Sequence, residues 1–148
     1  MGLNAARFFA LFFSALALGP AMAHLLELPN KIGLSREDYL TVQQVYRGWA
    51  LLGIVVAGAL LSTLALTRLS RGKREFVPVL IAFLSIVGTQ VLFWTFTFPA
   101  NQQTQNWTML PDHWMALRTQ WEYSHAASAV LNLVAMASLI VASLRWKN

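Results

Sequence analysis

Four long apolar stretches without an interior Asp, Glu, Lys or Arg constrain the fold of this chain most strongly. They cover residues 8–26, 48–67, 76–98 and 123–144. A helix needs about 20 apolar residues to cross a hydrocarbon core of roughly 30 Å, and each stretch has about that length. Because lipid offers no hydrogen-bond partner to a free peptide group, spanning segments of this kind are helices. The sequence therefore predicts an all-α, four-transmembrane-helix bundle that forms a single domain over residues 1–148.

The composition supports the same class of protein and excludes several others. Hydrophobic residues make up 57% of the chain and charged residues only 11%, whereas soluble domains have about 45–50% apolar residues. The net charge of +5 reflects scarce acids rather than a dense basic patch, which argues against a nucleic-acid partner. The chain has no cysteine, which excludes disulfides and thiolate chemistry. The expected partners are the lipid bilayer, a small apolar or aromatic ligand and, as a homo-oligomer, further copies of the chain.

Basic residues indicate the orientation of the predicted bundle. A short basic turn joins the second and third stretches, and further basic residues flank the outer ends of the first and fourth: Arg68, Arg71, Lys73, Arg74, Arg7, Arg145 and Lys147. Short basic loops stay on the cytoplasmic side of a membrane. Both termini should then be cytoplasmic, and the longer loops 29–47 and 99–122 should place the functional site on the non-cytoplasmic side.

The first apolar stretch also permits a second interpretation. Arg7, the apolar run 8–18 and the small-residue segment 21–23 resemble a secretory signal peptide with its cleavage site, and cleavage there would leave three spans. As a membrane helix, the same stretch should kink at Gly19-Pro20, a defect that neighbouring helices can accommodate.

Two of the four helices are predicted to extend beyond the bilayer on the non-cytoplasmic side. Ser35 is a typical N-cap with Asp38 three residues later, so the second helix should begin there. Pro111 suits a first helical position, so the fourth helix should begin near Asp112. On the second helix one face would carry a strip that either descends toward the membrane or is a solvated edge: Tyr39, Gln43, Tyr46 and Ala50.

Two motifs place proton-active side chains at helix ends, where burial of a charge is costly. One is His24-Leu-Leu-Glu27 and the other is Glu122-Tyr-Ser-His125. Residues three apart share one helical face, and both motifs lie at the same predicted end of the bundle. We therefore expect them to converge on one site. Arg118 should either neutralise Glu122 or bind an anionic substrate oxygen.

The same residues support two other interpretations. The set His24, Glu27, Glu122 and His125 could bind a single metal ion, because His and Glu on facing helices build metal sites in bundles. Alternatively, Glu122 with Arg118 and Glu27 with His24 are structural pairs at the membrane boundary. Deeper in the fourth helix, Ser128 and Asn132 extend the polar face, and Asn132 should need a partner on another helix.

Aromatic and small residues predict how the helices meet the membrane and one another. Trp107, Trp114 and Trp121 are typical of an aromatic belt at the membrane interface. Small residues should let neighbouring helices approach closely, most clearly at Gly53, Gly58 and Gly88.

Several motifs occur in order along nearly the whole chain. They are His24-x-x-Glu27-x-Pro29 at the end of the first helix, Pro99-Ala-Asn101 after the third, Trp107 and Trp114 in the next loop, and Arg118-x-x-Trp121-Glu122-x-x-His125 opening the fourth. In these motifs the chain resembles the anthrone oxygenase-like family of small four-helix membrane proteins. Ala100 and Gln120 depart from the family pattern.

The resemblance implies an integral membrane oxidoreductase of anthrone oxygenase type, which acts on an apolar or polycyclic phenolic substrate. The catalytic residues would be His24, Glu27, Arg118, Glu122 and His125. The substrate-binding residues would be Asn101, Trp107, Trp114, Trp121 and Asn132. The chain shows no flavin, haem or nicotinamide motif, so oxygen would react with the bound carbanion directly or at a single metal or haem. The alternatives are a non-enzymatic membrane binding or accessory protein for a metal, haem, quinone or lipid, and a small transporter subunit.

Overall fold

The computed structural model describes residues 2–146, and over these residues every regular element is helical. Four helices are long and apolar enough to cross a membrane, which confirms the predicted all-α bundle and indicates an integral, multi-pass membrane protein. We call them the first to fourth spans: Leu3–Lys31, Trp49–Leu69, Phe76–Gln103 and Trp114–Leu144.

The first span is longer at both ends than the predicted stretch 8–26. Its 29 residues, at about 1.5 Å of rise per residue, extend over roughly 44 Å, well beyond a hydrocarbon core. Pro20 and Pro29 both lie inside the helix. A proline has no backbone N–H, so one hydrogen bond within the helix is lost. In a membrane bundle, groups of neighbouring helices can bind the carbonyl that is left free. The helix therefore continues past Pro29 and ends at Lys31.

A separate short helix, Arg36–Gln43, precedes the second span. We call it the loop helix. Its start is as predicted, because the Ser35 hydroxyl accepts the backbone N–H of Asp38 at 3.2 Å. The prediction of one continuous second helix is wrong. Gly48 adopts a left-handed conformation with φ of 90°, which interrupts the helix and lets the chain turn into the second span at Trp49.

The fourth span begins at Trp114, later than the predicted start near Asp112. Pro111 does not occupy the first helical position, because its carbonyl accepts the Trp114 N–H in a turn that precedes the helix. The helix is nonetheless already formed nine residues before the apolar stretch that begins at 123, so the prediction of an extended fourth helix is confirmed.

The third span continues beyond the predicted end at residue 98 and contains a π-helical segment, Phe93–Thr97. Two contacts tie this segment to the fourth span. The Gln120 side-chain amide donates to the Phe96 carbonyl at 2.7 Å, and the Thr97 and Ser124 hydroxyls lie 2.7 Å apart. The π-helical turn is thus held against the fourth span by polar side chains of that span.

The spans pack in a ring in which the first contacts the second and fourth, and the third contacts the second and fourth. The core is built largely from small residues that include Ala10, Ala59, Ala82 and Ala135. A Cβ on Gly58 would lie 2.7 Å from the Phe13 ring, and one on Gly88 would lie 3.0 Å from Leu131. The predicted close approach is therefore found at these two glycines, whereas Gly53 has open space around it.

One end of the bundle gathers the start of the first span, the turn between the second and third spans, and the end of the fourth. Arg7 pairs with the buried carboxylate of Glu75 at 3.2 Å. Arg145 donates to the Arg74 carbonyl at 3.4 Å. The prediction that these basic segments share one end is thus confirmed, while Lys147 lies outside the described residues.

Candidate functional site

The first and fourth spans bring His24 and His125 together at the end of the bundle opposite the basic turn. Their imidazole rings are stacked, with centroids 4.1 Å apart and planes inclined by 26°. The Trp121 ring packs against both, 4.2 Å from His125 and 5.1 Å from His24. The two predicted motifs therefore converge on one site, because each histidine lies on the face its helix turns toward the other.

A buried ion pair that the sequence pattern does not predict lies beside the two histidines. The Lys31 Nζ atom is 3.0 Å from Glu122 Oε1, and the side chains are 4% and 0% exposed. Lys31 Nζ also lies 2.8 Å from the Tyr46 hydroxyl and 3.9 Å from Glu27 Oε2. Three oxygens thus surround the three N–H donors of the ammonium group.

The apolar stretch ends at residue 26, so the sequence predicts Lys31 in the loop 29–47. In the structure Lys31 is the last residue of that helix, four residues after Glu27 and seven after His24. This spacing places all three on one helical face. If the first helix is assumed to continue through Pro29, the same spacing in the sequence identifies Lys31 as a member of this face.

The polar strip on the loop helix faces this ion pair instead of solvent. The Tyr39 hydroxyl donates to Glu122 Oε1 at 2.9 Å and accepts from the Gln43 side-chain amide at 2.5 Å. Both side chains are buried, so the interpretation as a solvated edge is wrong for them. Burial, together with the negative charge of Glu122, raises the pKa of Tyr39 far above its ordinary value of 10.0, which keeps the phenol a neutral donor.

Tyr46 completes the polar part of the site. Its hydroxyl donates to Glu27 Oε2. Burial and this hydrogen bond raise the pKa of Tyr46 above its ordinary value as well, so its hydroxyl is also neutral. Ala50, the fourth member of the predicted strip, is exposed and takes no part.

The predicted partner of Glu122 is not Arg118. The Arg118 guanidinium donates to the Leu34 carbonyl at 2.8 Å and lies 4.6 Å above the Trp114 ring. Lys31 neutralises Glu122 in its place, and Glu27 contacts Tyr46 and Lys31 instead of His24. The two predicted structural pairs are therefore wrong. Arg118 lies near the start of the fourth span, and its bond to Leu34 ties this span to the connection that follows the first span.

The three tryptophans predicted to form an interfacial belt lie in a buried cluster, where they are only 3–9% exposed. The indole N–H groups of Trp107 and Trp121 both donate to Asn101 Oδ1, at 3.0 and 2.8 Å. Trp107 has φ of 60°, the last of three consecutive left-handed residues. A bulky residue adopts such a backbone conformation only where its surroundings enforce it. At Trp107 this conformation places the indole ring against that of Trp121.

Asn132 lies apart from this cluster. Its side-chain amide donates to the Ser128 carbonyl of its own helix at 2.9 Å. The prediction that it needs a partner on another helix is therefore wrong, because the preceding turn supplies one. His113, by contrast, is exposed, and its ring nitrogen lies 3.1 Å from the Gln103 side-chain oxygen.

Several buried polar atoms of the site have no hydrogen-bond partner among residues 2–146. They are His24 Nδ1, Gln43 Oε1, Arg118 Nε and Glu122 Oε2. An unsatisfied buried polar atom costs about 1–3 kcal/mol, so such atoms are rare in native structures and call for an explanation. Buried atoms of the same kind also occur away from the site, on Arg7, Ser14, Ser70 and Trp146. At the site, the unpaired His24 Nδ1 and Glu122 Oε2 are available to polar groups of a ligand.

The residues proposed as metal ligands do not fit a metal ion. Among the described residues, no group of three or more His, Cys, Asp or Glu side chains is placed to hold one. The reason is visible in the geometry. Lys31 stands 3.0 Å from Glu122 and 3.9 Å from Glu27, so its ammonium group already supplies the positive charge between these carboxylates.

The side chains of the site pack against one another, with Trp121 and His24 only 4–5% exposed. Two shallow surface grooves, of about 320 and 310 Å³, lie elsewhere. One is a groove beside the loop helix, lined by Leu40, Thr41, Gln44, Arg47 and Thr108. The other lies between the third and fourth spans at the opposite end. Neither groove is lined by His24, His125 or Trp121.

Comparisons of the chain with protein-family models, curated proteins and solved structures found no match. The residues of the site and their arrangement are therefore the basis for proposing a function.

Proposed function

We propose that this protein is an integral membrane oxidoreductase of anthrone oxygenase type that acts on an apolar phenolic substrate. The observation that carries the proposal is the stacked pair of His24 and His125 beside the buried ion pair of Lys31 and Glu122. The motif resemblance described above supports the same activity.

The proposed chemistry requires a proton acceptor, a cation and an aromatic wall. In the reaction an activated methylene group is oxidised by O2 to a carbonyl, and the second oxygen atom leaves as water. A neutral imidazole has one nitrogen lone pair that can take the first methylene proton. We assign this role to the pair of His24 and His125, since the buried Nδ1 of His24 has no other partner among the described residues.

The cation is Lys31 instead of Arg118. An anion left by proton removal is stabilised most by a positive charge that is already fixed in a water-poor site. The Lys31 ammonium is held in place by Glu122, which Tyr39 in turn holds by a hydrogen bond of 2.9 Å. Trp121 supplies a flat surface against both imidazoles, on which an aromatic substrate can stack.

The proposal places both termini in the cytoplasm and the site on the opposite side of the membrane. The basic turn between the second and third spans supports this orientation through the positive-inside rule. Because the chain contains no cysteine, single cysteines can report it directly. Lys73→Cys should be protected from an impermeant thiol reagent in intact cells, whereas Thr108→Cys should be labelled. The reverse labelling pattern would refute the orientation.

The activity is tested by oxygen consumption and anthraquinone formation from anthrone, using protein purified in detergent. We expect turnover by the wild type, and a loss of at least 100-fold in the double variant His24→Ala with His125→Ala, which is typical of removing a general base. His113→Ala is the matched control, because His113 is exposed and lies outside the site. Equal rates in the three proteins, or none above the uncatalysed reaction, would refute the proposal.

A second candidate function is a binding or accessory protein for an aromatic ligand such as a quinone. The observation that favours it is the ion pair of Lys31 and Glu122, each of which is already held by a tyrosine hydroxyl. Under this alternative, anthrone or a quinone binds with 1:1 stoichiometry and is released unchanged. Stoichiometric binding without oxygen consumption would therefore select the second function.

A further inference from the structure

Tyr46 occupies the site as a bound phenol would. Its ring centroid lies 4.7 Å from that of His24, 4.9 Å from Trp49 and 5.5 Å from Trp121. Its hydroxyl accepts a hydrogen bond from Lys31 at 2.8 Å and donates one to Glu27. An aromatic ring is thus surrounded by three aromatic rings while its hydroxyl is held between a cation and an anion.

The segment that carries Tyr46 lies between the loop helix and the second span and is not α-helical. It is a 3₁₀ turn, Gln44–Tyr46, followed by the left-handed Gly48. Val45 and Leu51 on either side of Tyr46 are 65% and 72% exposed. Besides Tyr46 itself, the Gln44 side-chain amide holds the segment by donating to the Trp107 carbonyl at 3.1 Å. A 3₁₀ turn has poorer hydrogen bonds than an α-helix, and a glycine accepts a wide range of backbone angles.

Tyr39 provides the contrast within the same site. It stands on the loop helix, which Ser35 caps, and Tyr39 is fully buried with hydrogen bonds to Glu122 and Gln43. Of the two tyrosines, Tyr46 is therefore the one that can leave the site at lower cost.

We propose that Tyr46 is an internal ligand that a phenol entering from outside displaces. The incoming ring would take the place between His24, Trp49 and Trp121, and its hydroxyl would bind Lys31 and Glu27. This proposal takes the phenolic class of ligand from the proposed function. It adds the subsite, the place where the ligand binds, and the residue, Tyr46, that occupies this place in its absence.

The partners of the Tyr46 hydroxyl set the specificity of this subsite. Lys31 requires an acceptor and Glu27 requires a donor, and a phenolic hydroxyl is both. A carboxylate offers only acceptors and would face Glu27 with like charge, while a hydrocarbon ring would leave both groups unpaired. We therefore expect p-cresol, which matches the tyrosine side chain, to bind more tightly than 4-methylbenzoate or toluene.

The test measures equilibrium binding of p-cresol under nitrogen by quenching of tryptophan fluorescence, since Trp49 and Trp121 line the subsite. Tyr46→Ala should bind p-cresol about tenfold or more tightly than the wild type, because no internal ring then competes. Tyr123→Ala removes the same atoms from a tyrosine that is 57% exposed, and it should bind as the wild type does.

Three outcomes would overturn the proposal: equal p-cresol affinity in Tyr46→Ala and wild type, an equal gain in Tyr123→Ala, or no preference of Tyr46→Ala for p-cresol over toluene. If Tyr46→Ala does not fold, as judged by circular dichroism, Tyr46→Phe decides. It keeps the ring but loses both hydrogen bonds, so its affinity for p-cresol should exceed that of the wild type by a smaller factor. An affinity equal to the wild type would then overturn the proposal.

The binding measurement separates this proposal from the proposed function. Tight p-cresol binding by Tyr46→Ala without anthrone oxidation by the wild type would refute the oxidoreductase and retain the subsite. Oxidation by the wild type with unchanged p-cresol affinity in Tyr46→Ala would refute the internal ligand alone.

Discussion

Replacement of Lys31 by methionine should be among the most destabilising single changes at the site. Methionine preserves most of the side-chain volume but removes the charge, so Glu122 is left buried, at 0% exposure, without its cation. Only the hydrogen bond from Tyr39 remains to the same carboxylate oxygen. Removing one partner of a buried ion pair costs about 3–5 kcal/mol, and we expect a loss in this range for Lys31→Met.

A double-mutant cycle shows whether the loss comes from the ion pair. Glu122→Gln keeps an oxygen that can accept from Tyr39 but removes the charge. If the two charges stabilise each other, the loss in the double variant should be about 2–3 kcal/mol smaller than the sum of the single losses. Unfolding by sodium dodecyl sulfate, followed by tryptophan fluorescence and circular dichroism, supplies the free energies.

Lys73→Met is the matched control, because Lys73 lies exposed on the basic turn. Its effect should remain within about 0.5 kcal/mol. The reasoning fails if Lys31→Met costs no more than this control, or if the losses of the two single variants simply add in the double variant.

Three further predictions concern other parts of the structure. Gly58→Ala should destabilise the bundle by about 1–3 kcal/mol, since its Cβ would lie 2.7 Å from the Phe13 ring, whereas Gly53→Ala, with open space around it, should not destabilise it. Asn101→Leu removes the acceptor of two indole N–H groups and should cost about 1–3 kcal/mol for each, while Asn101→Asp, which keeps an oxygen acceptor, should cost less. Both are measured by the same detergent unfolding. Because burial raises the folded-state pKa of Tyr39 above the unfolded value of 10.0, its contribution to stability is complete below that pH and is lost as the pH rises above it. Stability measured between neutral pH and pH 11 should therefore fall less steeply in Tyr39→Phe, and an unchanged slope would contradict this assignment.

The four spans could be predicted from the sequence because charge-free stretches of sufficient length have few other structures open to them. The ends of the helices could not be predicted in this way. The hydropathy of the sequence indicates which residues lie in the lipid. A helix can extend beyond those residues as long as its backbone hydrogen bonds are satisfied. The first span therefore continues through Pro29 to Lys31, and the second is interrupted at Gly48, where the backbone adopts a positive φ.

The convergence of His24, Glu122 and His125 could also be predicted, because residues three apart on two helices that end on the same side can face one point. The pairing within the site could not. It depends on which long side chain reaches Glu122, and Lys31 does so while Arg118 bonds the Leu34 carbonyl. Local spacing favoured Arg118, but contacts between helices determine the actual partner.

The most direct test of the account asks whether the first and fourth spans bring His24 and His125 into one site. The cysteine-free chain allows His24→Cys and His125→Cys to be combined and treated with a short bifunctional thiol reagent in native membranes. We predict a crosslinked peptide pair from these two positions by mass spectrometry, as the ring centroids are 4.1 Å apart. The pair His24→Cys with His113→Cys serves as the control. Absence of the crosslink between positions 24 and 125, or equal yield in the control, would contradict the site described here.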